Sequence, residues 1–122
     1  MTIQKIAERL IELANQGDFE TIYQELFSPD IVSIEPEGVP DRKSHGFDGL
    51  KEKGKKWQEG LEAFHGQEIG EPIFAGNFFS MVWTTNVTFK GAPGPVEFSE
   101  ICVYEVKDGK IVKEQFFYTP QQ

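Results

Sequence analysis

The sequence predicts an α+β domain in which three N-terminal helices cover a cone-shaped, curved antiparallel sheet. Three observations predict it. Apolar side chains recur at helical spacing up to Phe64, and from His65 the pattern changes to alternation with a period of two. Helices therefore come first and strands after them, not in βαβ order. The segment Phe78 to Lys90 would also span about 43 Å if straight, so in a chain of 122 residues it must twist and bend.

Thr2 is placed to cap a first helix carrying Ile3, Ile6, Ala7, Leu10 and Ala14 on one face, and Asn15-Gln16-Gly17 ends it. Asp18 caps a second helix with Phe19, Ile22, Tyr23, Leu26 and Phe27 aligned, stopped by Ser28-Pro29-Asp30. A short strand from Ile31 to Glu35 and a Pro- and Gly-punctuated loop to Gly46 follow. Asp48 then caps a third helix with Leu50, Trp57, Leu61 and Phe64 inward. Strands are expected over 65–74, 78–90, 96–106 and 111–119, separated by clusters of turn residues. Neither a repeat nor a linker divides the chain, so residues 1–122 read as one domain.

Composition narrows the function classes. The net charge of −8 is unsuited to nucleic acid or to anionic membrane surfaces. The cluster Lys51, Lys53, Lys55 and Lys56, interleaved with Glu52 and Glu59, reads as a solvated helix face. No apolar run approaches the roughly 20 residues of a membrane span, and the N-terminus lacks a signal-peptide pattern. Cys102 is the single cysteine, which suits a reducing compartment; a cytoplasmic protein is expected.

The last hairpin decides which side chains look inward. Val106-Lys107-Asp108-Gly109-Lys110 fits a three-residue loop with Gly109 left-handed, against a competing two-residue Asp-Gly turn. A one-residue slip flips every side chain. The three-residue loop pairs Cys102 with Glu114, Glu100 with Phe116 and Phe98 with Tyr118. It gathers Phe98, Glu100, Cys102, Tyr104, Val106, Val112, Glu114, Phe116 and Tyr118 on one face. The other register mixes aromatics and charges on both faces, so the three-residue loop is the expected one. On the preceding strand Phe79, Met81, Trp83, Thr85, Val87 and Phe89 form the bulky, covered set. An aromatic cavity with a few polar groups is the usual form of a small-molecule site.

Ala14-Asn15-Gln16-Gly17-Asp18, Ser28-Pro29-Asp30-Ile31-Val32 and the segment Val103 to Val112 with its Asp-Gly-Lys-Ile hairpin are the residues that carry a family likeness. In element order over nearly the whole chain, the sequence resembles the SnoaL-like branch of the nuclear transport factor 2-like superfamily. The resemblance implies the cone fold and dimerisation through the open sheet face. It leaves function open, because relatives include isomerases, polyketide cyclases, epoxide hydrolases, dehydratases and non-catalytic proteins. In ketosteroid isomerase, a relative, an aspartate base precedes a proline at the end of the first strand, and two proton donors form an oxyanion hole. Glu35-Pro36 matches the base position. The donor positions fall on Leu10, which cannot donate, and Cys102, which donates weakly.

Glu35 is the first candidate for a working carboxylate. In an apolar mouth it would be desolvated, as suits a general base; in water beside Glu37 it would be an ordinary rim residue. Glu114, expected inside the cone, is either an acid or ligand anchor or a buried hydrogen-bond node, with Tyr104, Thr85, His65 or the Trp83 indole as partners. Trp57, Trp83, Thr85, Glu100, Cys102, Tyr104, Phe116 and Tyr118 complete the expected ligand-binding set. Cys102 should be an inert packing residue more than a nucleophile. His45 and His65 show no metal-ligand spacing, and no phosphate loop or hydrolase serine motif occurs, so neither metal nor organic cofactor is expected. Val82, Ile101, Val103 and Phe117 on the outer face suggest a homodimer surface. The expected ligand is a small, largely apolar molecule.

Overall fold

The computed structural model describes residues 1–120; the last two residues of the expected domain lie outside the described ones. Helix α1 runs Ile3–Asn15, with the Thr2 hydroxyl accepting from the Lys5 amide at 3.2 Å. Its inward stripe is Ile6, Ala7, Leu10, Leu13 and Ala14. The chain turns at Gly17, whose φ of 73° favours glycine, and Asp18 caps α2 (Phe19–Glu25) by accepting from the Thr21 amide.

Two expected boundaries move, both because sheet pairing claims the backbone. The second helix does not reach Phe27: β1 (Phe27–Ile34) begins there, and the Leu26 carbonyl accepts from the Ile111 amide at 2.8 Å. Pro29, which has no N–H to offer, falls where the β1 register shifts between Phe27 and Val32. After β2 (Lys43–His45), α3 spans Gly46–Gly60 and not as far as Phe64. Leu61 instead opens β3 (Leu61–Ile69) by pairing with Phe89, so Leu61 and Phe64 are strand residues and Phe64 is exposed. Nor is Asp48 the cap of α3. His45 holds that position without a side-chain bond, and Asp48 lies in the first turn, where its charge complements the helix dipole.

The sheet runs β2, β1, β7 (Lys110–Phe117), β6 (Val96–Lys107), β5 (Phe78–Phe89), β3, with β4 (Ile73–Ala75) also pairing with β5. Strands β6 and β7 close the meander. Every pairing is antiparallel except β1 with β7, where the end of the chain returns alongside the first strand in the same direction. The sheet is therefore mixed at that one seam. Two register irregularities in β3 help it bend. The main core fills the space between helices and sheet, where Ile6, Leu10, Leu13 and Ile22 meet Phe79, Met81, Cys102 and Tyr104.

The final hairpin corrects the expected register. Lys107 pairs with Lys110 across a two-residue turn in which Asp108 and Gly109 have φ of 51° and 75°. Carried on regularly, that turn would set Lys113 opposite Tyr104, facing the core. Val112 is left unpaired as a bulge, so Glu114 takes the place opposite Tyr104 and Phe116 pairs with Cys102. The partners are thus two residues from those expected, but two one-residue displacements restore the same faces. Ile111, fully buried, is the inward residue beside the turn in place of Val112.

Candidate functional site

Beneath the helices lies a cavity of about 950 Å³, lined largely by apolar side chains. From α3, residues Leu50, Lys53, Gly54 and Trp57 reach it, the spacing that puts side chains on one helical face. Trp57 stands edge-on to Phe89 at 5.6 Å and to Phe98 at 5.9 Å, forming an aromatic wall. The sheet supplies Trp83, Thr85, Glu100, Tyr104, Glu114 and Phe116, Tyr118 follows the last strand, and the end of β1 leads to Glu35. Cys102 is the exception among the expected set. It is fully buried but absent from the cavity wall, packed in the core, with its thiol pushed far up by burial first and then by Glu100.

Lys53 is the residue the sequence reading missed. It is not part of a solvated face. Its Nζ donates to Glu35 Oε2 at 2.6 Å and to Ser33 Oγ at 2.7 Å, and lies 4.6 Å from the centre of the Phe116 ring. The signal was present: Leu50, Lys53 and Trp57 share an i, i+3, i+7 stripe, but a charged residue in such a stripe reads as solvent-facing until its partner is known. Its neighbours Lys51, Lys55 and Lys56 do point outward, toward Glu20, Glu59 and Asp41.

Glu35 is accordingly not a bare carboxylate in an apolar mouth. One oxygen takes the Lys53 ammonium and the other accepts from Tyr118 Oη at 2.6 Å. Glu100 and Glu114 are the perturbed pair. Burial, then the charge of Glu35, raises Glu100 to about 7 against the attraction of Lys53. Burial also raises Glu114 to about 7, partly offset by Lys53 and the Ser33 hydroxyl. At neutral pH each can therefore hold or release a proton within an apolar enclosure, the condition general acid–base work requires.

The other partners considered for Glu114 are engaged elsewhere. The Trp83 indole donates to Gln67 Oε1 at 3.1 Å, and Gln67 Nε2 donates to the Ala14 carbonyl, tying sheet to α1. His65 Nε2 lies 2.7 Å from Thr88 Oγ1, and neither histidine lines the cavity. Tyr104 does stay beside Glu114, stacked on Phe79 at a centroid distance of 4.9 Å, with its hydroxyl driven well above its usual range by burial. Among the described residues no cluster of three or more His, Cys, Asp or Glu side chains could hold a metal ion, and no helix is long and apolar enough to cross a membrane.

Known proteins agree with this architecture. The profile of the SnoaL-like domain matches residues 1–118. A candidate SnoaL-like polyketide cyclase from Mesorhizobium loti superposes with a TM-score of 0.87 at 36% identity, over 97% of this chain and 100% of its own. A protein of unknown function from Burkholderia pseudomallei with the nuclear transport factor 2-like fold gives 0.82 at 16% identity, over 98% and 92%. IdmH, a candidate polyketide cyclase from Streptomyces antibioticus, gives 0.74 at 22%, over 96% and 91%. Curated proteins yield no match. With its helices, its mixed curved sheet and a family profile spanning nearly all of it, the chain belongs to the SnoaL-like domain family of the nuclear transport factor 2-like fold.

Proposed function

We propose that the cavity receives a small, largely apolar molecule and that a buried carboxylate moves a proton on it, in an isomerisation, cyclisation or hydration. The observation that carries this reading is the pair Glu100 and Glu114, both poised to titrate near neutrality inside an aromatic wall. Glu114 is the favoured acid–base group. Glu100 is a second titrating group in the same cavity, and Glu35 with Lys53 and Tyr118 holds the rim in place. Such proton transfer requires no metal or organic cofactor. Likeness to the candidate polyketide cyclase from M. loti supports a cyclisation among the three. Carbon-13 NMR of glutamate-labelled protein tests the reading: both residues should titrate between pH 6 and 8, by about 2 pH units above ordinary glutamates. Titration of both at ordinary carboxylate values would remove the acid–base role and leave a binding module.

The same proposal includes a homodimer, a cytoplasmic location and no nucleic-acid or membrane partner. On the outer sheet face Val82 pairs with Ile101 and Ile101 with Phe117, an apolar row each of whose members is about half exposed. Burying that row against a second copy would remove it from water. Ile101→Lys should convert a dimer to a monomer in light scattering without loss of helical or strand signal. A wild-type monomer at tens of micromolar, on the order expected for a weak interface, argues against the dimer.

A further inference from the structure

We propose that the ligand of this cavity carries a protonated amine, its nitrogen drawn to the carboxyls of Glu100 and Glu114 in the wall and its apolar body against Trp57, Phe89 and Phe98. This rests on the reading that the cavity receives a ligand, and deepens it by naming the class.

Among the described residues, the cavity wall holds three carboxyl groups, Glu35, Glu100 and Glu114, and one basic side chain, Lys53. That lysine is already committed. It bonds Glu35 and Ser33, and Phe116 covers another side. Glu35 is in turn satisfied by Lys53 and Tyr118. The pair is thereby neutralised internally, so an incoming anion finds no free cation.

Glu100 and Glu114 are the carboxyl groups left over. Among the described residues the Glu100 carboxylate accepts a hydrogen bond only from the Cys102 thiol, at 3.9 Å, a weak donor. Glu114 is nine-tenths buried, lines the cavity and has the neutral Ser33 hydroxyl as its hydrogen-bond partner. The remaining titratable groups facing them are Tyr23 from α2, Tyr104 and Cys102 from β6 and Tyr118 just after β7, all raised and so uncharged near neutrality. Lys53 attracts both from a distance but bonds neither, so two carboxyls without a bonded cation represent an unfilled need for positive charge. A neutral hydroxyl could hydrogen-bond to them but would leave their charge uncompensated. An ammonium group supplies both donors and charge, and the aromatic wall beside it suits the hydrocarbon part of the same molecule.

Three probes with one apolar body separate the possibilities: naphthylmethylamine, naphthylmethanol and naphthoate, titrated by calorimetry from pH 5.5 to pH 8. The amine should bind at least about tenfold tighter than the alcohol at pH 8, with naphthoate weakest, since one unscreened ion pair is worth that much. Its advantage should shrink toward pH 5.5 as Glu100 and Glu114 take up protons, and amine binding at pH 7 should release protons to the buffer. The E100Q/E114Q double variant should retain affinity for the alcohol and lose the preference for the amine; if it is poorly folded, the two single variants and the wild-type pH series decide. Equal binding of all three probes, or a preference for naphthoate, overturns the amine class while leaving the cavity as a ligand site. An amine preference that survives both substitutions also overturns it, by placing the nitrogen elsewhere. Failure of all three probes to bind overturns the ligand site itself, and the amine with it.

Discussion

Between pH 5 and pH 8 the protein should lose stability, contrary to the usual gain of a carboxylate-rich protein leaving acid. Glu100 and Glu114 are raised from 4.5 to about 7 by burial, so the folded state holds protons that the unfolded chain has already released. Their favourable contribution is fully present below about 4.5 and is lost as pH rises through about 7. The expected fall is on the order of 3 kcal/mol for each residue. Urea unfolding at several pH values reads it directly. Glu114→Gln, which keeps the shape without the charge, should flatten the profile and leave the variant more stable than wild type at pH 8 by about 2–3 kcal/mol. A wild-type curve that rises steadily from pH 5 to 8 would mean these two carboxyls are far better solvated than their burial indicates.

Adjacent phenylalanines supply the second large effect. Phe79 is 1% exposed and stacks on Tyr104, whereas Phe78, the next residue, is 42% exposed on the outer face. Phe79→Ala should cost about 3–5 kcal/mol, from lost burial and the void left beside Tyr104. Phe78→Ala should cost under about 1 kcal/mol. Chemical denaturation of the two variants compares side chains of one type, one residue apart, on opposite sides of one strand. Equal losses would show that β5 does not present a single covered face.

That alternation was legible in the sequence because it is local. On β5 the residues Phe79, Met81, Thr85 and Val87 are buried as expected, since a strand that is half covered must repeat every two residues. The two helix caps Thr2 and Asp18 were equally readable, each needing only one side-chain oxygen within reach of an amide two or three residues on. Boundaries at Leu26 and Leu61 were not, because each helix stops where a strand far along the chain takes over its hydrogen bonds: Ile111 at the first, Phe89 and Lys90 at the second.

The candidate site divides in the same manner. Glu114, Tyr104, Phe116 and Tyr118 were placed on the cavity side from periodicity, although their cross-strand partners were not. The bulge at Val112 that fixes those partners leaves no unambiguous local mark. Lys53 was missed, and with it the pairing of Glu35, since a lysine within a charged stretch of helix reveals nothing of a glutamate 18 residues earlier.

By itself, then, the sequence determined the order of helices and strands, the family, and which side of each long strand is apolar, because short-range periodicity and capping are properties of neighbouring residues. Only the tertiary structure decided which carboxylates are neutralised and which are left to titrate. Charge balance in a buried space depends on distances between β1, α3, β6 and β7, and folding alone brings those four segments together.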